Sequence, residues 1–337
     1  MTTFKVMTWN VENLYRAGNE YGPDSQKEYD RKLKSLADAI LHLNPDVLAV
    51  QEIGEPEAFT ELVEVIGRQR YSHTRLSEFP DSRGIRVGFL SKLAIAEDEE
   101  LVNFSKDGLS QVISQQEGNS TEIKSFGRAA LRILVRLENG NLVHLINAHL
   151  KSKLLTFPST ENRSRFKPKD ENERTRVAGL ALLRRTAEAV ALRVQANELL
   201  KNNAEEGLIV LGDMNDVASA ATTQLLQGPS GSELGTQGFE RPDEGDDVRL
   251  FNLAPLIPEQ RRYSRIYKDR KELIDHIFVS EELLPRQKHA TSQSRKLPEV
   301  DSHIDIVDKL PSISDNRSLR RGKPASDHAP ITAIFDL

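Results

Sequence analysis

Leu208-Ile209-Val210-Leu211-Gly212-Asp213-Met214-Asn215 decides both the fold and the place to look for chemistry. Four consecutive apolar residues read as a buried strand, and they run straight into an acid and an amide one residue apart. Alternation along an extended chain puts Asp213 and Asn215 on one face while Met214 packs on the other. The same design recurs elsewhere. Phe4–Asn10 is β-rich and ends in the polar pair Asn10 and Glu12, and Val47–Val50 closes on Gln51-Glu52. Ala130–Leu137 and Leu142–Asn147 are joined by Glu138-Asn139-Gly140-Asn141, and Asn-Gly between two β-rich runs signals a hairpin. Arg86–Leu90, Leu273–Val279 and Ile331–Phe335 bring the expectation to about nine strands.

Helical spacing interrupts these strands. Leu33, Leu36, Ala37, Ile40 and Leu41 form one face of a helix over Asp30–Leu43, stopped by Asn44-Pro45. Glu57–Ile66 is a second amphipathic segment, and Arg174–Leu200 carries a longer helical pattern. Strands, helices and hairpins mixed in this order imply an α+β fold. The expected form is a four-layer α/β/β/α sandwich of two packed, mainly antiparallel sheets with helices outside. Residues 1–337 read as a single domain with loop insertions at Asp107–Ser125 and Glu281–Pro324, both polar and aperiodic.

Composition excludes several chemistries. With no Cys there is no disulfide framework, thiolate nucleophile, iron–sulfur cluster or Cys-ligated zinc. The 337 residues hold 46 Lys plus Arg against 51 Asp plus Glu, a formal charge of −5, so a polyanion must be held by a local patch or a metal. No signal peptide or membrane span is visible, and the chain reads as soluble and cytoplasmic.

The chemistry-bearing residues stand at strand ends, where distant parts of a chain converge on one rim of a sheet. A carboxylate such as Glu52 closing a buried strand is costly unless it is paired or coordinates a metal. The oxygen ligands Glu52 and Asp327, with Asn10 nearby, suit Mg²⁺, with Mn²⁺ as a substitute, better than zinc. Trp9-Asn10, Gln51-Glu52, Asn147-Ala148-His149, Gly212-Asp213-Met214-Asn215, Ile274-Asp275-His276 and Ser326-Asp327-His328 follow one another in this order. Together they resemble the endonuclease/exonuclease/phosphatase family, which includes deoxyribonuclease I-like and exonuclease III-like enzymes.

That resemblance implies a metal-dependent hydrolase. It gives Asp213 the attacking water, Asn215, His149 and His328 the phosphate, and Asp275 the orientation of His328. His149 stands where deoxyribonuclease I-like members have His and exonuclease III-like members Tyr, which argues against abasic-site repair. His276 is expected to point away from Asp275 and to be structural. The expected activity is phosphodiester hydrolysis by a nuclease on DNA or RNA. The alternatives are a phosphatase or phosphodiesterase on a small-molecule or lipid phosphate, and a catalytically silent binding module on the same fold.

Basic residues cluster despite the negative total. Lys151–Arg193 holds 11 Lys or Arg against 5 Asp or Glu, and Arg261–Lys271 holds 6 against 1. In the second block Arg261, Arg262 and Arg265 are candidate backbone contacts, and Tyr263 and Tyr267 candidate stacking platforms. Arg320 and Arg321, inside Arg317–Lys323, are candidates for a substrate-gripping loop. Nucleic acid is the expected partner, with no membrane and no protein partner inferable.

Overall fold

The computed structural model describes residues 2–116, 119–157, 165–203, 206–241, 248–285, 296–305, 313 and 326–337. Its strands, in chain order, are β1 (Thr3–Leu14), β2 (Val47–Ile53), β3 (His73–Leu76), β4 (Arg86–Ser91), β5 (Ile95–Asn103), β6 (Val112–Gln116), β7 (Asn119–Ile123) and β8 (Ser125–Arg136). They continue as β9 (Leu142–His149), β10 (Gly207–Asp213), β11 (Leu250–Asn252), β12 (Arg265–Tyr267), β13 (Arg270–Glu272), β14 (Asp275–Ser280), β15 (Glu299–Ser302) and β16 (Ile331–Asp336). The helices are α1 (Gln26–Leu43), α2 (Pro56–Ile66), α3 (Glu171–Asn202), α4 (Ala221–Leu226) and α5 (Gln237–Glu240).

Two six-stranded sheets carry the structure, in the orders β15-β16-β1-β2-β4-β3 and β11-β14-β10-β9-β8-β5. Within them β1 pairs with β2, and β9 with β10, in parallel, while the other pairings are antiparallel. Alternation along each central strand assigns the layers. Val47 and Ala49 of β2 share a core with Ile209 and Leu211 of β10, which is the filling between the sheets. Leu48 and Val50 face the other way, onto Leu36 and Ile40 of α1 and Leu62 of α2. Leu208 and Val210 pack against Leu192, Ala196 and Leu200 of α3. A strand sandwiched on both faces has no polar side to show, which is why β2 and β10 read as unbroken apolar runs.

Local signals set the helix ends. Ser25 caps α1 by accepting from the Glu28 N–H, and Asn44 closes it at φ 47 with its N–H on the Ile40 carbonyl. Asp170 caps α3 through the Glu173 N–H, four residues before the helical spacing becomes visible at Arg174.

The expected elements are present with shifted ends: the three helices begin earlier than expected, β8 begins at Ser125, not Ala130, β14 begins at Asp275, not Leu273, and several strands lie where none was expected. Asp107–Ser125, read as a loop insertion, carries the β6–β7 hairpin. Its polar sequence lacks the apolar alternation that marks a strand with a face in the core. Strand β5 is hidden by the acidic run Glu97-Asp98-Glu99-Glu100, which is stabilised across the pair by Arg132 contacting Glu99 at 2.9 Å and Glu97 at 3.3 Å. Charge on such an edge strand discourages pairing with another chain. Within Glu281–Pro324, β15 adds an edge to the first sheet. Arg317–Lys323, including Arg320 and Arg321, lies outside the described residues.

A polar key crosses the inter-sheet core. Gln51 Nε2 donates to Asn147 Oδ1 at 2.7 Å, and Asn147 Nδ2 donates to the Val50 and Gly88 carbonyls at 3.0 and 2.8 Å. Asn147→Ala removes three buried hydrogen bonds at once, so chemical denaturation should show a loss of about 2–5 kcal/mol. A loss under about 1 kcal/mol would remove this amide from the list of supports.

Acid should weaken the fold through His303. Burial, which outweighs the attraction of Asp301 3.7 Å away, pulls its imidazole down to about 4. The unfolded imidazole takes its proton near ~6.5, so this contribution is present above that pH and is lost as pH falls toward the folded value. His303→Gln should therefore lose stability less steeply than wild type between pH 7 and 4.5, by up to ~1.4 kcal/mol per pH unit, in urea titrations at several pH values. Parallel pH profiles for the two proteins would reject the assignment.

Candidate active site

Register builds half of the site. Asp213 lies opposite His149 on one side and opposite Asp275 on the other, so three adjacent strand ends of the second sheet present their side chains together. Gly212 makes this possible. It sits at φ +141, and a Cβ there would lie 1.9 Å from the Ala148 carbonyl oxygen, so only glycine lets β10 run this close to β9.

The first sheet supplies the other half. The ladder of β2 slips between Gln51 and Ile53, and Glu52 stands at φ 65, a left-handed conformation that a non-glycine residue adopts at some cost. A bulge of this kind re-aims one side chain off its strand. Glu52 thereby reaches the Asn10 amide at 3.1 Å and the Asn13 N–H at 2.8 Å. Asn10 spans both sheets, because the same Nδ2 also donates to Asp213 Oδ2 at 2.9 Å. Ser326 donates to the Asn10 carbonyl at 2.6 Å and Trp9 Nε1 to the His328 carbonyl at 2.9 Å, which ties Ser326–His328 to β1.

Seven of the eight motif residues therefore meet directly or through one partner. His328 Nδ1 lies 2.7 Å from Asp275 Oδ2, and His149 Nε2 lies 3.4 Å from Asp213 Oδ2 and 4.0 Å from Glu52. The Asn215 N–H bonds Asp213 Oδ1 at 2.8 Å, while its side-chain amide donates to the Leu150 carbonyl at 3.0 Å; its φ of 54 turns the chain sharply after β10. Asp327 stands slightly apart, 4.0 Å from His328 Nε2 and 3.5 Å from Arg265. His276 behaves as expected of a structural residue, buried between the Asn252 amide and the Asp216 carbonyl at 3.1 and 2.9 Å.

Burial and crowding separate the titrations. Asp213 is pushed up to about 7, first by burial and then by the negative charge of Asp275. Burial also acts on His328, but the carboxylates of Asp275, Asp327 and Asp213 outweigh it and hold this imidazole at about 10. His149 is driven well below its ordinary value by burial and by the Arg128 guanidinium. The two imidazoles beside Asp213 thus differ in charge, one cationic and one neutral.

A hard cation fits the carboxylates here, while His328, cationic and bonded to Asp275 through Nδ1, offers it no lone pair. Ligand atoms of Asp213, Asp275 and His328 lie within 4.8 Å of one another, and Asp275 Oδ1 is buried with no hydrogen-bond partner among the described residues. This cluster differs from the set read from the sequence, Asn10, Glu52 and Asp327. Of those, Glu52 and Asn10 adjoin it through Asp213, and Asp327 is engaged with Arg265. The donors are oxygen-rich and include no thiolate, as suits magnesium or manganese.

One neighbour escaped the sequence reading. Arg128 donates to His149 Nδ1 at 2.7 Å and is itself held by Asp81 at 3.4 Å. Its signal is an arginine at the entrance to the strand run Ala129–Val135, in which Arg132 is the one other charge. The basic hairpin divides. Arg261 is spent on Asp301 at 2.7 Å, and Arg262 on the Ile257 and Pro255 carbonyls. Lys271 stands 4.6 Å over the Tyr263 ring. Arg265, bridged to His328 through the backbone and lying 5.1 Å from the Tyr267 ring centroid, does border the site.

A model of the Endonuclease/Exonuclease/phosphatase family matches residues 7–328. A search of curated proteins returns no match. Similar solved structures include TDP2 from Caenorhabditis elegans, at 13% identity and TM-score 0.53 over 99% of this chain and 74% of that one. The human Nocturnin catalytic domain with bound sulfate is 15% identical, with TM-score 0.54, over 99% and 94%. A mannosyl-6-phosphatase from Bacteroides thetaiotaomicron is 13% identical, with TM-score 0.56, over 99% and 100%. At these identities the likeness is one of fold.

If Glu52 helps hold the cation, saturating Mg²⁺ or Mn²⁺ should raise the melting temperature of the wild type by several degrees, as ~100 times Kd of a ligand adds about 2.7 kcal/mol. Glu52→Gln should lose most of that increment. An undiminished shift in the variant would take Glu52 out of the ligand set.

Proposed function

The chain belongs to the endonuclease/exonuclease/phosphatase family, whose enzymes are hydrolases of phosphoester bonds and generally depend on a divalent metal. From that premise we propose that it hydrolyses phosphodiester bonds in DNA or RNA with Mg²⁺ as cofactor. The observation that carries this reading is the joining of the two sheets' polar strand ends through Asn10, which touches both Glu52 and Asp213. A decayed site would have no reason to keep Glu52, His149, Asp213, Asp275 and His328 within reach of one another at the cost that burying them entails.

Each side chain has a role that its bonds support. Asp213, fixed through both oxygens by the Asn215 N–H and the Asn10 amide, positions the attacking water and takes its proton. His328 spends Nδ1–H on Asp275, which leaves Nε2–H for a phosphate oxygen. His149 accepts from Arg128 at Nδ1 and so carries its hydrogen on Nε2, again as a donor. The remaining amide hydrogen of Asn215 completes a set of donors around the developing negative charge. Glu52, Asn10, Asp213 and Asp275 would hold the ion, which when bound neutralises charge on the phosphate and its leaving oxygen. Arg265 and Tyr267 offer a guanidinium and a ring face beside this centre for a nucleic-acid backbone and base. No described helix is long and apolar enough to cross a membrane.

The reading is tested with supercoiled plasmid, single-stranded DNA, RNA, bis-p-nitrophenyl phosphate and p-nitrophenyl phosphate, each with Mg²⁺ or EDTA. Metal-dependent cleavage of nucleic acid is expected, abolished in Asp213→Ala and slowed ~10²–10³-fold in His149→Ala. Hydrolysis of the small esters without nucleic-acid cleavage would move the activity to a small-molecule phosphate. No turnover of any substrate would leave a binding module.

A further inference from the structure

Helix α3 clamps the backbone that follows His149. Glu188 accepts the Gly127 N–H at 3.0 Å and the Lys151 N–H at 2.6 Å, and Arg185 donates to the Lys151 carbonyl at 3.1 Å. Around this clamp, among the described residues, cations outnumber carboxylates. Arg185 is answered by Asp216 at 3.2 Å and Arg128 by Asp81 at 3.4 Å. Glu188, in their midst, has each oxygen on a backbone N–H and is one carboxylate facing both Lys151 and Arg184. Lys151 and Arg184 are left over. Among the described residues the Lys151 ammonium hydrogen-bonds neutral oxygens, at 3.4 to 3.5 Å on Ser152 and Leu154. Arg184 Nε is buried without a hydrogen-bond partner among the described residues. Its guanidinium lies over β8, with Nη2 3.2 Å from where a Cβ of Gly127 would stand, so the glycine makes room for it beside Arg128.

We infer that Lys151 and Arg184, next to the Arg128–His149 pair, form a second anion subsite that receives a phosphate group flanking the reacting one. An ammonium and a guanidinium fork are the donors that recognise phosphate through charge-assisted bonds. The crowding is itself unfavourable until an anion arrives: burial, then the charges of Arg184 and Arg128, push Lys151 down to about 8. Because Lys151 follows His149 by two residues and Arg128 bonds His149, an anion here belongs to the same substrate as the phosphate on His149. The inference rests on the phosphoesterase reading and sharpens it. The preferred substrate carries at least two phosphates, as a nucleic-acid backbone or a bisphosphate does, and a lone phosphate group leaves this subsite unused.

The test compares substrates in pairs: tetrathymidylate against thymidine 5′-p-nitrophenyl phosphate, and fructose 1,6-bisphosphate against fructose 6-phosphate. In the wild type with Mg²⁺ the member with more phosphates should show the higher kcat/KM in one pair, by ~10–100-fold for one or two charge-assisted bonds. The pair that responds identifies the source of the second phosphate. That ratio should collapse in Lys151→Gln/Arg184→Gln, chiefly through KM, and be restored in Lys151→Arg/Arg184→Lys, a rescue that a purely structural role would not produce. Equal kcat/KM in both wild-type pairs, or a preference that survives the double Gln variant, would overturn the subsite. If the wild type turns over none of the four, the phosphoesterase reading fails by itself. Calorimetric titration of inorganic pyrophosphate then decides the subsite: binding weakened tenfold or more in the double Gln variant supports it, while equal or absent binding in both proteins overturns it.

Discussion

The hydrogen bond from Gln51 to Asn147 is the constraint on which the site depends. Apolar packing between two sheets is strong but non-directional, and it tolerates sliding of one sheet over the other. A buried amide tolerates none, since every donor must find its acceptor or lose the water it gave up. Asn147 satisfies its own amide on two carbonyls of the opposite sheet, Val50 and Gly88, while accepting from Gln51. Glu52 follows Gln51 by one residue and His149 follows Asn147 by two. Their mutual position is therefore inherited from the inter-sheet key beneath them.

Above that key the protein accepts local cost. Glu52 and Asn215 occupy left-handed backbone, and Asp213 and Asp275 share a buried space in which like charge pushes Asp213 up. Compensation comes from the cation on His328 and from Asn10, whose amide meets one carboxylate of each sheet. A bound divalent ion would relieve the same repulsion, so stabilisation by metal and competence for phosphate chemistry are two consequences of one arrangement of charge.

Layering was legible because central strands sandwiched on both faces must be apolar throughout, as Leu208–Leu211 and Val47–Val50 are. The convergence of the candidate residues was legible because strand ends that carry Asn, Asp, Glu or His directly after such runs have few structural reasons to exist. What could not be read was set by partners distant in sequence. Strand β5 is acidic, and its charges are answered by Arg132 and Arg75 from distant parts of the chain, while the β6–β7 hairpin lacks apolar alternation. Arg128 reads as a charge at a strand entrance until His149 is seen beside it. Of the basic hairpin, the sequence cannot tell that Arg261 and Arg262 serve Asp301 and local carbonyls while Arg265 borders the site.

The distribution of positive charge then bears on how an acidic molecule can receive a polyanion. A formal charge of −5 repels a phosphate backbone at long range, so attraction must come from cations placed close to the reacting centre. Arg265 stands beside His328 through its backbone bridge, and Lys151 and Arg184 stand beyond His149, whose partner is Arg128. The two imidazoles thus lie between cations on either hand. A lone phosphate would use only the centre of this row, whereas a chain of phosphates can meet it along its length. Selectivity for such a chain follows from where these cations stand and needs no excess of positive charge over the whole molecule.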